Sequence, residues 1–299
     1  MEGAGEAAEM HLTEFHVLLV DDEPDVHEIS RMAMRQFQVF GLPIRLHSAT
    51  SKQEAIEVLE SLRLGPGFSL ASVALIDVVM ETEHAGLELC EYIRDVMKNR
   101  TLQIYLRTGQ PGLAPERSVV DRYDIQGYLS KAEATTDKLY TLVKAGVREH
   151  YFTGLSHGLQ DLLHSLIPAA PSRQGIAEAL HAFEKLARVN RKGEKAESIS
   201  APLCYILENE FVSGLADWHE AAPALARRDE MLALPAESLH ADGDRYTIDG
   251  RDLLIQIAPT SVNAGLHYML RGTVAPPDWE VFVYHRYLRS FAALWKQAR

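Results

Sequence analysis

Four short apolar runs, each stopping at a polar residue, constrain this chain more than any other feature. Val17-Leu18-Leu19-Val20 runs into Asp21-Asp22, and Val73-Ala74-Leu75-Ile76 runs into Asp77. Ile104-Tyr105-Leu106 leads to Thr108, and Tyr128-Leu129-Ser130 ends at Lys131. Continuous apolar runs of this length read as strands buried on both faces of a parallel sheet. In such a sheet the carboxyl ends of the strands share one edge, and ligands sit in the crevice there. Three carboxylates, a hydroxyl and an ammonium are therefore expected to converge on one small site. Any one of them alone reads as an ordinary polar residue where a strand meets water. The set, in this order, reads as a site.

Clustered carboxylates repel, so at neutral pH they need a cation, and hard oxygen ligands suit Mg²⁺. A Mg²⁺ held by Asp21, Asp22 and Asp77 would accept a phosphoryl oxygen as a further ligand. One carboxylate could then attack phosphorus and give an aspartyl phosphate. Thr108 and Lys131 would meet the other phosphoryl oxygens with a hydrogen bond and a positive charge.

The stretch from about Phe15 to Glu149 resembles the receiver domain of two-component response regulators. The likeness is carried by Leu-Leu-Val-Asp-Asp-Glu-Pro (18 to 24), Leu-Ile-Asp-Val-Val-Met (75 to 80), Leu-Arg-Thr-Gly (106 to 109) and Gly-Tyr-Leu-Ser-Lys (127 to 131). It implies an α/β, flavodoxin-like (βα)5 fold of the CheY-like kind, with parallel strand order 2-1-3-4-5. It also implies that Asp77 is the phosphoacceptor, and that Asp21, Asp22, Asp77 and the Val79 carbonyl hold Mg²⁺. Thr108 would be the switch hydroxyl, Lys131 the phosphate-binding cation, and Tyr128 the aromatic that changes rotamer. The phosphoryl donor would be a histidine kinase or phosphotransfer protein. Two departures accompany the likeness. Glu81 and Gly86 follow Asp77 by four and nine residues, where receivers have Pro at four and Gly at eight, and Ala132 replaces the Pro that follows the lysine.

Strands and helices alternate through this half, which argues for right-handed crossovers and a sheet covered on both faces. Pro24 opens a helix to about Gln38, Gly41-Leu42-Pro43 ends it, and Ile44-Arg45-Leu46 is a short second strand. Ser51 and Glu54 make a capping box. The expected division is an acidic disordered tail over 1–14, a receiver domain over 15–149, a connecting helix over 150–171 and an α+β domain over 172–299.

From Thr136 to Ile167 the chain is one long helix or two in series, because Gly154 and Gly158 weaken continuity. Its stripe Leu155, Leu159, Leu162 and Leu166 is either a homodimer seam (the 136–167 helix) or a face packed on the chain's own C-terminal domain. Beyond it, Ile176, Ala179, Leu180, Phe183 and Leu186 mark an amphipathic helix, and Arg188 to Lys195 a basic loop. β-type runs follow at Leu203 to Leu207, Arg245 to Ile248, Leu253 to Ile257 and Leu266 to Leu270, with a hairpin signal at Asp249-Gly250. An apolar helix from Trp279 to Trp295 closes the chain. The expected architecture is a small antiparallel sheet flanked by helices. Trp218, His219 and Arg227-Arg228 read by default as core aromatic and solvated charge.

A narrower resemblance lies in Met80 to Leu87 and Leu106 to Gly112. These segments look like a bacterial subfamily whose receivers precede an uncharacterised GAF-like domain, and often then an HD-GYP cyclic-di-GMP phosphodiesterase. The second half is similar to that GAF-like domain in element order. The chain stops at Arg299 and shows no His-Asp metal pair and no Gly-Gly-Asp-Glu-Phe segment, so it is expected not to be an enzyme. The leading expectation is a response regulator whose phosphorylation switches protein contacts or dimerisation. The alternative is a small-ligand, cyclic nucleotide-like sensor modulated by phosphorylation.

Composition narrows the classes further. A formal net charge of −12 argues against a nucleic-acid partner. Two widely separated cysteines, Cys90 and Cys204, suit reduced thiols in a cytosol. No apolar run has the length of a membrane span, and the acidic start is unlike a signal peptide. A cytoplasmic protein is expected.

Overall fold

The computed structural model describes residues 14–65, 68–109, 116–131, 134–186, 203–207, 210–214, 218–239, 243–257, 265–272 and 274–298. Residues 1–13 of the expected tail, the segment Gln110 to Gly112, Ala132 and the basic stretch Arg188 to Lys195 lie outside the described residues. The chain divides into two compact units at Leu155/Ser156. No described helix is long and apolar enough to cross a membrane.

The first unit runs β1 (Phe15–Val20), α1 (Pro24–Met34), β2 (Gln38–Val39), β3 (Leu42–Ala49), α2 (Lys52–Ser61), β4 (Arg63–Gly65), β5 (Phe68–Ser69), β6 (Ala71–Asp77) and α3 (Ala85–Glu91). A π-type turn over Tyr92–Val96 extends α3, and β7 (Gln103–Thr108), α4 (Glu116–Tyr123) and β8 (Gly127–Ser130) follow. The main sheet has the order β2-β3-β1-β6-β7-β8. All neighbours are parallel except β2, a two-residue antiparallel edge on β3. Numbered among themselves, the parallel strands stand in the order 2-1-3-4-5. The first unit is an α/β domain with this receiver-like strand order.

The apolar runs are continuous because both faces of β1 and β6 are buried. Leu18, Val20, Ala74 and Ile76 pack in one core with Leu59 from α2 and Leu89 from α3. The alternate residues Val17, Leu19, Val73 and Leu75 are equally buried on the other face. There, α5 (Thr136–Leu166) approaches closely at Gly146, where a Cβ would come 2.7 Å from Val73 Cγ2.

Helix α1 ends four residues before the expected Gln38. Phe40 and Gly41 take φ of 52° and 76°, so the chain turns and Gln38-Val39 pair with Leu42-Pro43. A tight hairpin with both turn residues in the left-handed region thus captures residues that local pattern assigned to a helix. At α2 the Ser51 hydroxyl accepts from Glu54 N at 3.2 Å. The Glu54 carboxylate turns back to Thr50, taking its N–H at 2.7 Å and its hydroxyl at 2.8 Å. The capping box is present with its return arm moved by one residue. The buried Arg94 guanidinium donates to the carbonyls of Asn99 at 2.7 Å, Leu102 at 2.9 Å and Asp124 at 2.8 and 3.0 Å.

Helix α5 is one continuous element, and the boundary between the units falls within it. The second unit continues with α6 (Arg173–Leu186), β9 (Leu203–Leu207), β10 (Glu210–Gly214), α7 (Ala221–Leu232), β11 (Glu237–Ser238), β12 (Arg245–Asp249), β13 (Asp252–Ile257), β14 (Leu266–Arg271) and α8 (Asp278–Gln297). Its sheet, β10-β9-β14-β13-β12-β11, is antiparallel throughout. Asp249 pairs with Asp252, leaving Gly250-Arg251 as a two-residue turn with Gly250 at φ +60°. The strand period separates two cores. Cys204, Ile206, Leu254 and Met269 pack with Trp218, Ala224 and Met231. Tyr205 and Tyr268, their ring centroids 5.1 Å apart, meet Phe291 and Tyr284 of α8 at 5.3 and 5.4 Å respectively.

Candidate functional site

The carboxyl edge of the parallel sheet gathers Asp21, Asp77 and Lys131. Val20 is in register with Ile76, so Asp21 emerges beside Asp77, the last residue of β6. The Asp21 backbone is fixed from several sides. Its N–H donates to Ala49 O at 3.1 Å, and its carbonyl lies 2.6 Å from His27 Nε2. Its Oδ1 accepts from Glu23 N at 3.1 Å. Lys131 follows β8 and places Nζ 2.7 Å from Asp77 Oδ2, 3.1 Å from Asp21 Oδ2 and 2.6 Å from Glu23 Oε1.

Asp22 is exposed, yet one carboxylate oxygen from each of Asp21, Asp22, Glu23 and Asp77 lies within 4.8 Å of the others. Among the described residues, no other group of His, Cys, Asp and Glu comes together in this way. The Val79 backbone hydrogen-bonds to the Asp77 carboxylate. Thr108 ends β7 at the same edge, in register with Ser130 and nearly buried. Tyr128 is half-buried in β8, against the core of the first unit. The structure therefore brings Asp21, Asp22, Asp77 and Lys131 into one cluster, with Glu23 added.

Burial pushes the Asp77 carboxyl above its ordinary value, and the neighbouring Asp21 adds to this, against the pull of Lys131. Burial works against the charge of Lys131, but hydrogen bonds to Asp77, Glu23 and Asp21 hold it above the usual lysine value. Lys131 in turn lowers Glu23. Three carboxylates thus crowd one ammonium, with a fourth, Asp22, close by, and the ammonium sits where the cluster demands a cation. The donor set, all hard oxygens carrying excess negative charge, fits a Mg²⁺-type ion.

The loop after Asp77 is held by two of the residues that depart from the receiver pattern. A Cβ on Gly86 would lie 2.0 Å from the Asp77 carbonyl oxygen and 2.9 Å from Val78 Cα, so the start of α3 presses directly on the strand end. Only a residue without a side chain allows that approach. The Glu81 carboxylate accepts from Lys52 N at 2.9 Å and satisfies a donor in the first turn of α2.

Arg107 was missed in the sequence. It is in register with Asp77, 4% exposed, and places Nη1 3.9 Å from Asp21 Oδ2. The available signal was a single guanidinium between the apolar run Ile104-Tyr105-Leu106 and Thr108, within a buried strand. In the second unit, Arg227 and Arg228 are not the solvated charges expected: Arg227 is largely covered, and Arg228 is buried and donates to Asp229 at 2.9 Å. Arg227 donates to Asp252, Asp249 and Glu230 at 2.7 to 2.9 Å, and Arg271 grips Asp252 through Nε at 2.6 Å and Nη2 at 3.0 Å. Arg271 also lies over the Trp218 ring, 4.9 Å from its centroid.

No protein-family profile matches the chain. The chain is 42% identical over 170 residues to 3'3'-cGAMP-specific phosphodiesterase 2 of Vibrio cholerae serotype O1, a match covering 53% of this chain and 31% of that protein. The chain thus spans about a third of the length of the curated relative it matches. Among solved structures, it is 15% identical to a response regulator receiver domain protein from Clostridium thermocellum. That match covers 46% of this chain and 98% of the other, with a TM-score of 0.38. The signal receiver domain of an HD domain-containing protein from Pseudomonas fluorescens Pf-5 is 18% identical over the same shares, with a TM-score of 0.37.

The curated relative corrects one expectation. Missing catalytic motifs predict a chain that is not an enzyme, whereas the relative is named as a phosphodiesterase. The inference failed because an activity belongs to a whole protein. Motif absence in a chain matching less than a third of the relative does not test it.

Proposed function

We propose that this chain is a phosphorelay receiver that governs a phosphodiesterase output of the kind its relative is named for, acting on 3'3'-cGAMP. The observation that carries the receiver part is the Asp77–Lys131–Asp21 cluster at the carboxyl edge of the sheet. The phosphodiesterase part is carried by the 42% identity.

In this reading Asp77 is the phosphoacceptor. A Mg²⁺ held by Asp21, Asp22, Asp77 and the Val79 carbonyl would supply charge compensation at the phosphoryl oxygens. An Asp77 oxygen forms the new bond to phosphorus while the phosphorus–nitrogen bond of a phosphohistidine donor breaks, and the electron pair leaves with the imidazole. Lys131 exchanges its carboxylate partners for a phosphoryl oxygen, Thr108 donates to another, and Tyr128 follows Thr108. The phosphoryl group adds roughly −1.5 to −2 of charge, which shifts the population between two packings of the β7–β8 edge. Helix α5 is the covalent path onward to the second unit.

Acetyl phosphate with Mg²⁺ should label the protein with an acid-stable, hydroxylamine-labile phosphate, and Asp77→Asn should abolish it. Labelling that survives the substitution would refute the assignment. Hydrolysis of 3'3'-cGAMP, measured with and without beryllofluoride, tests the output. A rate indifferent to beryllofluoride removes the regulatory link.

A further inference from the structure

Arg107 has no part in the scheme above, and its surroundings are unusual. It lies in β7 between Leu106 and Thr108, where an apolar side chain would fill the space without cost in charge. Nη1 stands 3.9 Å from Asp21 Oδ2, too far for a hydrogen bond, and neither Nη1 nor Nε has a hydrogen-bond partner. Buried guanidinium donors left unmatched destabilise a fold. Burial lowers the Arg107 pKa, and Asp21, Asp77 and Glu23 offset this. The residue stays charged.

We propose that Arg107 is a resident counter-charge of the acidic cluster, a positioning residue that steadies Asp21 without metal and limits how tightly the site binds a divalent cation. The inference rests on reading the cluster as the metal site of a phosphoacceptor. The two cations of the cluster differ in kind. Lys131 reaches in from the rim, with its side chain 18% exposed and Glu23 as an outer partner, so it is free to swing to another anion. Arg107 is anchored within a strand, its side chain 5% exposed, and has nowhere to go. A cation bound to Asp21 would therefore remain close to a fixed positive charge. Repulsion over such distances changes a binding constant by roughly tenfold, even at a high effective dielectric. The outcome is a site that is organised before the ion arrives and releases it readily.

The test uses the whole chain with Mn²⁺ as probe, free ion being read from its electron paramagnetic resonance signal. Arg107→Gln keeps hydrogen-bonding capacity and loses the charge, while Arg107→Lys keeps the charge. We expect Arg107→Gln to bind Mn²⁺ roughly tenfold more tightly than wild type, and Arg107→Lys to stay within about twofold of it. A Gln variant with equal or weaker affinity overturns the proposal, as does a Lys variant that tightens equally. If wild type binds no Mn²⁺, or Asp77→Asn binds it unchanged, the underlying metal-site reading fails as well, which separates the two failures. Where Arg107→Gln gives no cooperative melt, Arg107→Met replaces it. If every neutral variant unfolds while the Lys variant folds, the residue belongs to folding and the proposal is overturned.

Discussion

Each unit buries a cluster of opposite charges, and the two clusters are balanced differently. In the second unit, Asp252 is buried and takes hydrogen bonds on both oxygens from Arg227 and Arg271. The remaining donors of Arg227 end on Asp249 and Glu230, which face water. In the first unit, Asp21, Glu23 and Asp77 share Lys131 with Asp22 close beside them, Arg107 stands near Asp21, and Arg107 keeps two donors unmatched. A matched cluster holds elements together. An unmatched one with surplus negative charge is arranged to receive a cation.

The contrast is broken most severely at Asp252. Replacing it by Ala should destabilise the second unit by about 2–3 kcal/mol, less than a fully buried pair because the two arginines are part-exposed. Denaturant titration of the full chain reads this, and a loss below about 0.5 kcal/mol would place the cluster among ornamental surface pairs. Mg²⁺ should act on the other cluster alone. At about a hundredfold over its Kd it should stabilise wild type and the Asp252→Ala protein alike, by up to about 2.7 kcal/mol, and give much less with Asp77→Asn. Equal gains in all three would erase the distinction.

The smallest effect has opposite signs at the two sites. The folded pKa of Asp77 is raised from its ordinary 3.8, so its ionised form opposes folding, and this penalty grows as pH rises through the folded value. Asp77→Asn should therefore raise metal-free stability at neutral pH, with the gain vanishing below the ordinary carboxylate range. For Asp252 burial is outweighed by Arg271 and Arg227, and its pKa falls below the ordinary 3.8. Its contribution is present above that value and fades as pH drops through the lowered one. Thermal melts of the single variants between pH 3 and 8 should show these two trends diverging.

The parallel sheet and its edge residues were legible because double-sided burial writes an unbroken apolar run, and the polar residue ending it is conspicuous. The β12–β13 turn was legible because Asp-Gly supplies the left-handed residue that the turn requires. Elements that depend on a distant partner were not. Gln38-Val39 continues the helical pattern of α1 until Gly41 allows the reversal. Strand β10 begins with Glu210 and ends with Gly214, and is ordered by pairing with β9. Helix α7 carries Arg227 and Arg228, whose charges read as solvated until Asp252 is set opposite Arg227. At the site, the main carboxylates and the lysine were visible. The fit of Gly86 against Asp77, and Arg107 beside Asp21, depend on approach distances that no linear pattern records.

The guanidinium of Arg94 ties the turn after α3, the approach to β7 and the end of α4 through carbonyls at the amino edge of the sheet. That edge is bolted, whereas the opposite rim carries loops and a charge imbalance. A chemical event at the rim therefore meets a fixed abutment, and the displacement it causes has to emerge sideways, close to where it began.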